Sequence, residues 1–420
     1  MSSPTPTPVH YYLSWIQSLI NDPKVENPKV IKKEIHTENQ TYSIIRYDKS
    51  LLSYDSIDIY GLLRSVILDK NRQLVSFSPP KSVPAELFLQ NYPDVLSPGI
   101  VAEEFVEGTM INVFWDTTIG LSGAWEIATR NSVGANISFY QEFDKQGLPK
   151  AKTFRQMFLE AMDKCQLTFD HLQKGYCYSF VLQHPENRIV VPFKKPDLYL
   201  VAVYQCVQEK EKEIVVYPLS VAYLKKNTPL KNTLVKYPKK YQEKTYTDLI
   251  QKYASMNTPY HIMGLNIWNQ YTGERCKIRN PVYEKVRQLK GNQAKLQFHY
   301  LSLRKSGKIN EYLTYYPEHK KEFSSFREEV HLFTQTLYEN YVSCFIKKTD
   351  PNVYNYPKEY QSCMKDLHQQ FLTNLRENKQ GINYPYVINY VNELPPAKLM
   401  YLINTPLRER KVEMDKKEQQ

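Results

Sequence analysis

Through its first half the chain alternates apolar and polar positions or gathers β-branched and aromatic residues into short bursts. Such runs, bounded by turn residues, predict strands at Leu63 to Asp69, Leu74 to Ser78, Ile111 to Trp115 and Trp125 to Thr129, in a region 42–142 otherwise broken by turns. The period then changes. Phe154, Met157, Phe158, Ala161 and Met162 recur at helical spacing and predict a helix over 153–164. Strands resume at Tyr176 to Leu182, Ile189 to Val191, Leu198 to Cys206 and Glu213 to Tyr217. Lys225 to Lys244, rich in Lys, Pro, Asn and Thr, reads as a surface excursion. No internal repeat is evident.

After Arg279 the pattern is helical. Phe323, Phe326, Val330, Phe333, Leu337, Tyr341 and Cys344 step by three and four, which defines one long amphipathic helix with Pro317 near its start. Met364, Leu367, Phe371 and Leu375 define a second, closed by Gly381, and Pro395–Pro396 begins a third. Stripes of this kind bury a core far more often than they hold a ligand. The expected fold is therefore α+β: antiparallel sheets with helices over 10–285, then a helical domain over 286–407. Residues 1–9 are polar and Pro-rich, and 408–420 are densely charged; both ends are expected to be disordered.

Composition narrows the partners. The 420 residues carry 55 Lys and Arg against 44 Asp and Glu, a net +11. Such an excess favours polyanions through counterion release, though it also serves plain solubility. The 34 tyrosines offer base-stacking platforms, but most belong to half-buried strand and helix positions. No apolar run reaches the ~20 residues needed to cross a bilayer, and the N-terminus is no secretory signal. Six cysteines (165, 177, 206, 276, 344 and 363) form no C-x-x-C pair and no zinc spacing with the nine histidines. Free thiols in a reducing cytoplasm, and no structural metal, are expected.

Several short motifs then occur in a telling order. Glu104-Phe105-Val106-Glu107-Gly108-Thr109 has the form of K-x-D-G-[ST], in which a lysine amine attacks the α-phosphate of ATP. Upstream, Tyr60-Gly61-Leu62-Leu63-Arg64-Ser65-Val66-Ile67-Leu68-Asp69 is like R-G-[LV]-I-[FL]-D, followed by Pro79-Pro80-Lys81-Ser82. Downstream lie Ala128-Thr129-Arg130-Asn131-Ser132, like T-[RK]-G-S, and Pro185-Glu186-Asn187-Arg188-Ile189-Val190, like P-x-N-R-I-V. Met263-Gly264-Leu265-Asn266 and Cys276-Lys277-Ile278-Arg279 are like E-G-x-V and F-K-I-K. Over residues 40–285 the chain thus resembles the bacteriophage-type RNA ligase 1 family of covalent nucleotidyltransferases. The resemblance implies a ligase-type nucleotidyltransferase domain unrelated to ATP-grasp. It also implies ATP and Mg²⁺ as cofactors if the chemistry survives, and RNA as partner. The Tyr-, Asn- and Lys-rich vocabulary also suits an AT-rich genome such as that of a large DNA virus, with a host-cytoplasmic or viral-factory location.

The departures fall on one reaction. The lysine position is Phe105, whose benzyl group has no lone pair for phosphorus, and the aspartate position is Glu107. Family carboxylates map to Val181 and Met263, which offer no hard oxygen to Mg²⁺. The matched phosphate-binding positions, Arg64, Lys81, Gly108, Arg130, Arg188, Lys277 and Arg279, retain their charge or glycine. Either Val181 and Met263 pack on Phe105 and plug the site, or a pocket stays open. Lys81 and Lys194 are the lysines nominated for a relocated nucleophile; Glu103 and Glu104 form either a metal pair or a solvated strand edge; His184 is expected in a loop, not as a base. Three functions remain: a pseudoenzyme binding RNA or nucleotide or scaffolding a partner through its helical domain, an ATP-dependent RNA ligase with an unusual nucleophile, and a structural protein that kept only the fold.

Overall fold

The structure, a computed structural model, describes residues 9–21, 26–38, 40–139, 151–209 and 213–409. The expected disordered ends fall outside them except for Val9, Arg408 and Glu409. The chain divides into two compact units, after Leu289. The boundary expected at 285/286 lies four residues earlier, and both positions fall within the helix Pro281–Lys290.

The strands in chain order are β1 Tyr11–Tyr12, β2 Val30–His36, β3 Thr41–Tyr47, β4 Val66–Leu68, β5 Leu74–Phe77, β6 Ile100–Glu104 and β7 Thr109–Asp116. Then come β8 Ala124–Ala128, β9 Tyr176–Gln183, β10 Asp197–Glu209, β11 Glu213–Pro218, β12 Gly264–Asn269 and β13 Arg275–Arg279. They form a six-stranded sheet, β1-β11-β10-β9-β7-β8, a four-stranded sheet, β2-β3-β4-β5, and a three-stranded sheet, β13-β12-β6. Every strand pairing is antiparallel.

Period-two alternation assigns each face. On β7, Ile111 and Val113 turn to the helix Phe154–Lys164 and meet Met157, Phe158 and Ala161, whereas Phe114 turns to Tyr42, Ile44 and Phe77 of the four-stranded sheet. On β9, Tyr178, Phe180 and Leu182 face the helix and Cys177 faces the other way. Thr153 starts the helix with a capping box, exchanging hydrogen bonds with Gln156. A third core joins Leu265, Ile267 and Cys276 of the small sheet to Phe88 and Leu249.

Two expectations fail for instructive reasons. Ile189 to Val191 is not a strand, because the Val190 and Val191 N–H groups go to the Glu107 carboxylate in place of a neighbouring strand. Nor is 225–244 a surface excursion. Leu224, Leu230 and Val235 enter the second core, and the polar backbone between them is taken up by sheet edges. The Lys236 N–H donates to Leu198 and the Lys236 carbonyl accepts from Leu200, while Lys239 accepts from Glu104 and Tyr241 donates to Ala102. A Lys- and Pro-rich composition conceals this because the side chains stay wet while the main chain pairs.

The second unit is helical. Its longest helix, Lys320–Tyr341, starts beyond a 3₁₀ turn at Pro317–His319 and continues into a π-helical turn, Val342–Ile346. It buries Val330, Phe333, Leu337 and Tyr341 and contacts the helices Lys358–Gln370, Tyr384–Glu393 and Pro396–Ile403. Arg408, placed by sequence in the tail, donates to the Tyr401 carbonyl at 2.6 Å.

If 225–244 helps to hold the core, Leu230→Ala, at a side chain 2 % exposed, should cost ~2–5 kcal/mol. Lys231→Ala beside it should cost within ~0.5 kcal/mol. Chemical denaturation of the two variants checks this; equal midpoints would return the segment to the surface.

Candidate phosphate and nucleotide site

The segment at the head of β7 is tied to the turn that follows β9. The Glu107 side chain is 5 % exposed, and its Oε1 accepts the Val190 N–H at 2.7 Å and the Val191 N–H at 3.0 Å. Burial raises its pKa, opposed by those two N–H groups. Gln183 donates to the Glu107 carbonyl at 2.9 Å, and Asn187 donates to the Thr109 hydroxyl at 2.8 Å. Gly108 sits at φ +146°, where a Cβ would come within 2.4 Å of the Leu182 carbonyl oxygen and 2.7 Å of Val181. Only glycine fits there. Val181 is thus buried beneath the Gly108 backbone, and Glu107 organises two loops.

A wall of cations stands beside this segment. On β13, Arg275, Lys277 and Arg279 occupy alternate positions and share one face, while Cys276 on the opposite face enters the core. The Arg275 guanidinium donates to the carbonyls of Pro79 and Pro80 and so fixes the loop bearing Lys81. The Val83 N–H donates to the Arg275 carbonyl, and the Lys81 N–H donates to Gly61, in the turn that leads to Arg64. Gly264, at φ +133°, leaves room for a Cβ only 2.2 Å from the Ile278 carbonyl oxygen, and its own carbonyl accepts the Phe105 N–H. These contacts bring Arg64, Lys81, Arg275, Lys277 and Arg279 within electrostatic range of one another.

Phe105 closes the wall. The Lys277 ammonium nitrogen lies 4.5 Å from the centre of its ring and the Arg279 guanidinium 5.7 Å. Burial, and then Arg275, Arg64, Arg279 and Lys81, push the Lys277 pKa down to about 5. An amine over an aromatic face gains ~0.5–2 kcal/mol in its charged form, equivalent to at most ~1.5 in pKa. That is too little to restore the usual value of 10.5. The Lys277 amine thus sits far below the usual lysine range. Arg64 falls only to about 10, by burial and then Arg275, and stays charged; Lys81 is lowered by burial and then Arg64.

Against the same ring opens a pocket of about 250 Å³, lined by Phe105, Phe193, Tyr241, His261, Met263 and Gly264 among others. The plug does not form: Met263 lines this open space, and Val181 lies under Gly108. Of the other candidates, Arg130 donates to the Arg64 carbonyl and lies over the Tyr47 ring, and Arg188 lies beside Glu107 and donates to the Val190 carbonyl. Glu103 accepts from Asn266, and Glu104 accepts the Lys239 N–H, so the edge of β6 is covered, not solvated. Among the described residues no cluster of His, Cys, Asp and Glu is placed to hold a metal ion. His184, 2 % exposed, accepts the Glu186 N–H through Nδ1 and pairs with Glu160 through Nε2 at 3.0 Å. Lys194 is exposed, one residue past Phe193.

Sequence reasoning missed Arg275. Its signal was present: R-x-K-x-R over 275–279 is a strand alternation with three cations on one face and apolar residues on the other.

With the site described, the chain can be set beside known proteins. No family model matches it. It is 32 % identical over 112 residues to an RNA ligase of Rhodothermus phage RM378, a match covering 26 % of this chain and 23 % of that protein. The chain thus matches about a quarter of the length of that relative. A solved archaeal ATP-dependent RNA ligase (form 1) superposes with a TM-score of 0.33 at 10 % identity, covering 91 % of this chain and 75 % of the other.

The Glu107 bridge has a direct test. Glu107→Ala leaves two buried N–H donors without acceptors, at ~1–3 kcal/mol each, whereas Glu107→Gln keeps one acceptor oxygen and should lose less. Denaturant midpoints of the two variants measure the difference; indistinguishable variants would mean the carboxylate does not hold the loop.

Proposed function

We propose that this chain is an RNA-ligase-like protein that binds RNA or a nucleotide non-covalently, with phosphate on the cation wall and a base in the neighbouring pocket. One observation carries the reading. The ring of Phe105 stands where the motif expects a nucleophilic lysine, and it is shared between a wall of cations and an open pocket lined by flat rings. Phe105, Phe193, Tyr241 and His261 supply stacking surfaces, and the carboxylate of Glu104 and the amide of Gln183 supply edges for hydrogen bonding. Arg64 and Arg279 keep their charge for phosphate. Neither Val181 nor Met263 supplies a metal oxygen, so adenylation at residue 105 lacks both its amine and its carboxylates.

Incubation with labelled ATP and Mg²⁺ should leave no acid-labile AMP adduct, and 5′-phosphorylated RNA should not be sealed. A lysyl-AMP peptide found by mass spectrometry would overturn this reading. Lys277, with its lowered pKa, is the first place to look for one, ahead of Lys81 and Lys194. Changing Lys277 and Arg279 together to Ala should weaken single-stranded RNA binding across sequences, each lost phosphate contact lowering the log–log salt slope by ~0.7. Unchanged binding would refute the site.

Restoring the amine alone should not restore chemistry. In Phe105→Lys the new ammonium meets Lys277 and Arg279 instead of a carboxylate, which depresses its pKa and costs stability. Adding Met263→Glu has room in the pocket, but Val181→Glu buries a charge under Gly108 and should destabilise the fold. Robust adenylation by Phe105→Lys alone, read by label transfer, would contradict this.

A further inference from the structure

The wall has a feature that phosphate binding alone does not require. Five basic side chains converge, and the central one, Lys277, is covered by an aromatic ring and flanked on its own strand by Arg275 and Arg279. Arg64 approaches from the turn before β4 and Lys81 from the loop after β5.

The surrounding groups differ in what they can neutralise. Arg275 is engaged by the Pro79 and Pro80 carbonyls and has Tyr204, Tyr11 and Glu103 near it. Arg279 is paired with Glu284 at 3.3 Å. Lys81 has Lys49 as a further positive neighbour. His261 lines the pocket on which the Phe105 ring opens, and Glu104 lies at the same rim. The leading influences on Lys277 itself are burial and four positive charges.

We propose that Lys277 is the proton acceptor of an anion site, so that each phosphate group seated against Arg64, Lys277 and Arg279 enters together with one proton. This rests on the binding reading above and adds its regulation. In the empty site the amine stays neutral, because a fifth positive charge would be crowded by four others at a half-buried position. A bound phosphodiester sets a negative charge directly against the amine and offsets part of that crowding, which raises its pKa, and the amine then takes a proton and becomes a charged donor. The order of events costs nothing to an empty protein and rewards a polyanion.

The sign follows from proton counting. With its pKa lowered to about 5, Lys277 in the free protein is largely deprotonated at neutral pH. The complex holds it protonated up to a higher pH set by the phosphate. Between these limits binding consumes a proton, so affinity rises as pH falls, by up to ~10-fold per pH unit, the limit for one linked proton.

The probe is a single-stranded oligoadenylate without terminal phosphate, whose own charge is constant from pH 6 to 9. Full-length protein is titrated calorimetrically at pH 7.5 in two buffers of different ionisation enthalpy, which reads proton uptake directly. Uptake approaching one proton is expected for the native chain and near zero for Lys277→Arg, whose guanidinium is always charged; that variant should bind with an affinity that no longer varies with pH. Lys277→Met should bind more weakly and also take up no proton. His261→Asn should leave the uptake in place; if it abolishes it, the histidine is the proton acceptor and the assignment to Lys277 falls. RNA that binds the native protein with no proton uptake overturns this inference and leaves the binding reading standing. RNA that binds at no pH overturns both.

Discussion

Like charges cannot be brought together on one face without some response from the groups that carry them, and the first unit of this protein holds such a crowd. Arg64, Lys81, Arg275, Lys277 and Arg279 come from three separated segments, yet two backbone ties, Val83 to Arg275 of β13 and Lys81 to Gly61, hold them together. Two of the five are relieved by acceptors, Arg275 by two proline carbonyls and Arg279 by Glu284. Lys277 has only the Phe105 ring, a weaker partner for a cation than an acceptor oxygen, and its pKa is the one that falls furthest.

The same wall explains how a phenyl ring suits position 105. A lysine there would add a sixth basic group unless a carboxylate or metal stood by, and Val181 and Met263 provide neither. An aromatic face meets the neighbouring cations without adding charge. Phe105, Val181 and Met263 are in this sense mutually consistent, with Val181 packed under Gly108 and Met263 in the pocket wall.

Glu107 shows a residue keeping its place in a motif by holding structure. Its carboxylate takes the N–H groups of Val190 and Val191, which would otherwise need a strand partner, and so fixes the turn bearing Asn187 and Arg188 against the head of β7. The tie joins two motifs more than eighty residues apart and places Phe105 at the rim of the pocket.

Sequence alone determined the local elements whose period is strong. The helix at 154–164, the strands at 74–77, 109–116, 124–128 and 176–183 and the long helix of the second unit follow from repeats of two and 3.6, because a half-buried element writes its buried face into its own side chains. It also marked position 105 as lacking an amine, since the absence of a lone pair needs no geometry. Sequence did not disclose the backbone-driven features: the lost strand at 189–191 and the docking of 225–244. In each case main-chain hydrogen bonds made the choice, and these carry no side-chain signature. The protonation of Lys277 belongs to the tertiary structure for a related reason. A lysine's pKa depends on what else is within a few ångströms, and the chain brings Arg64 and Lys81 there from two hundred residues away.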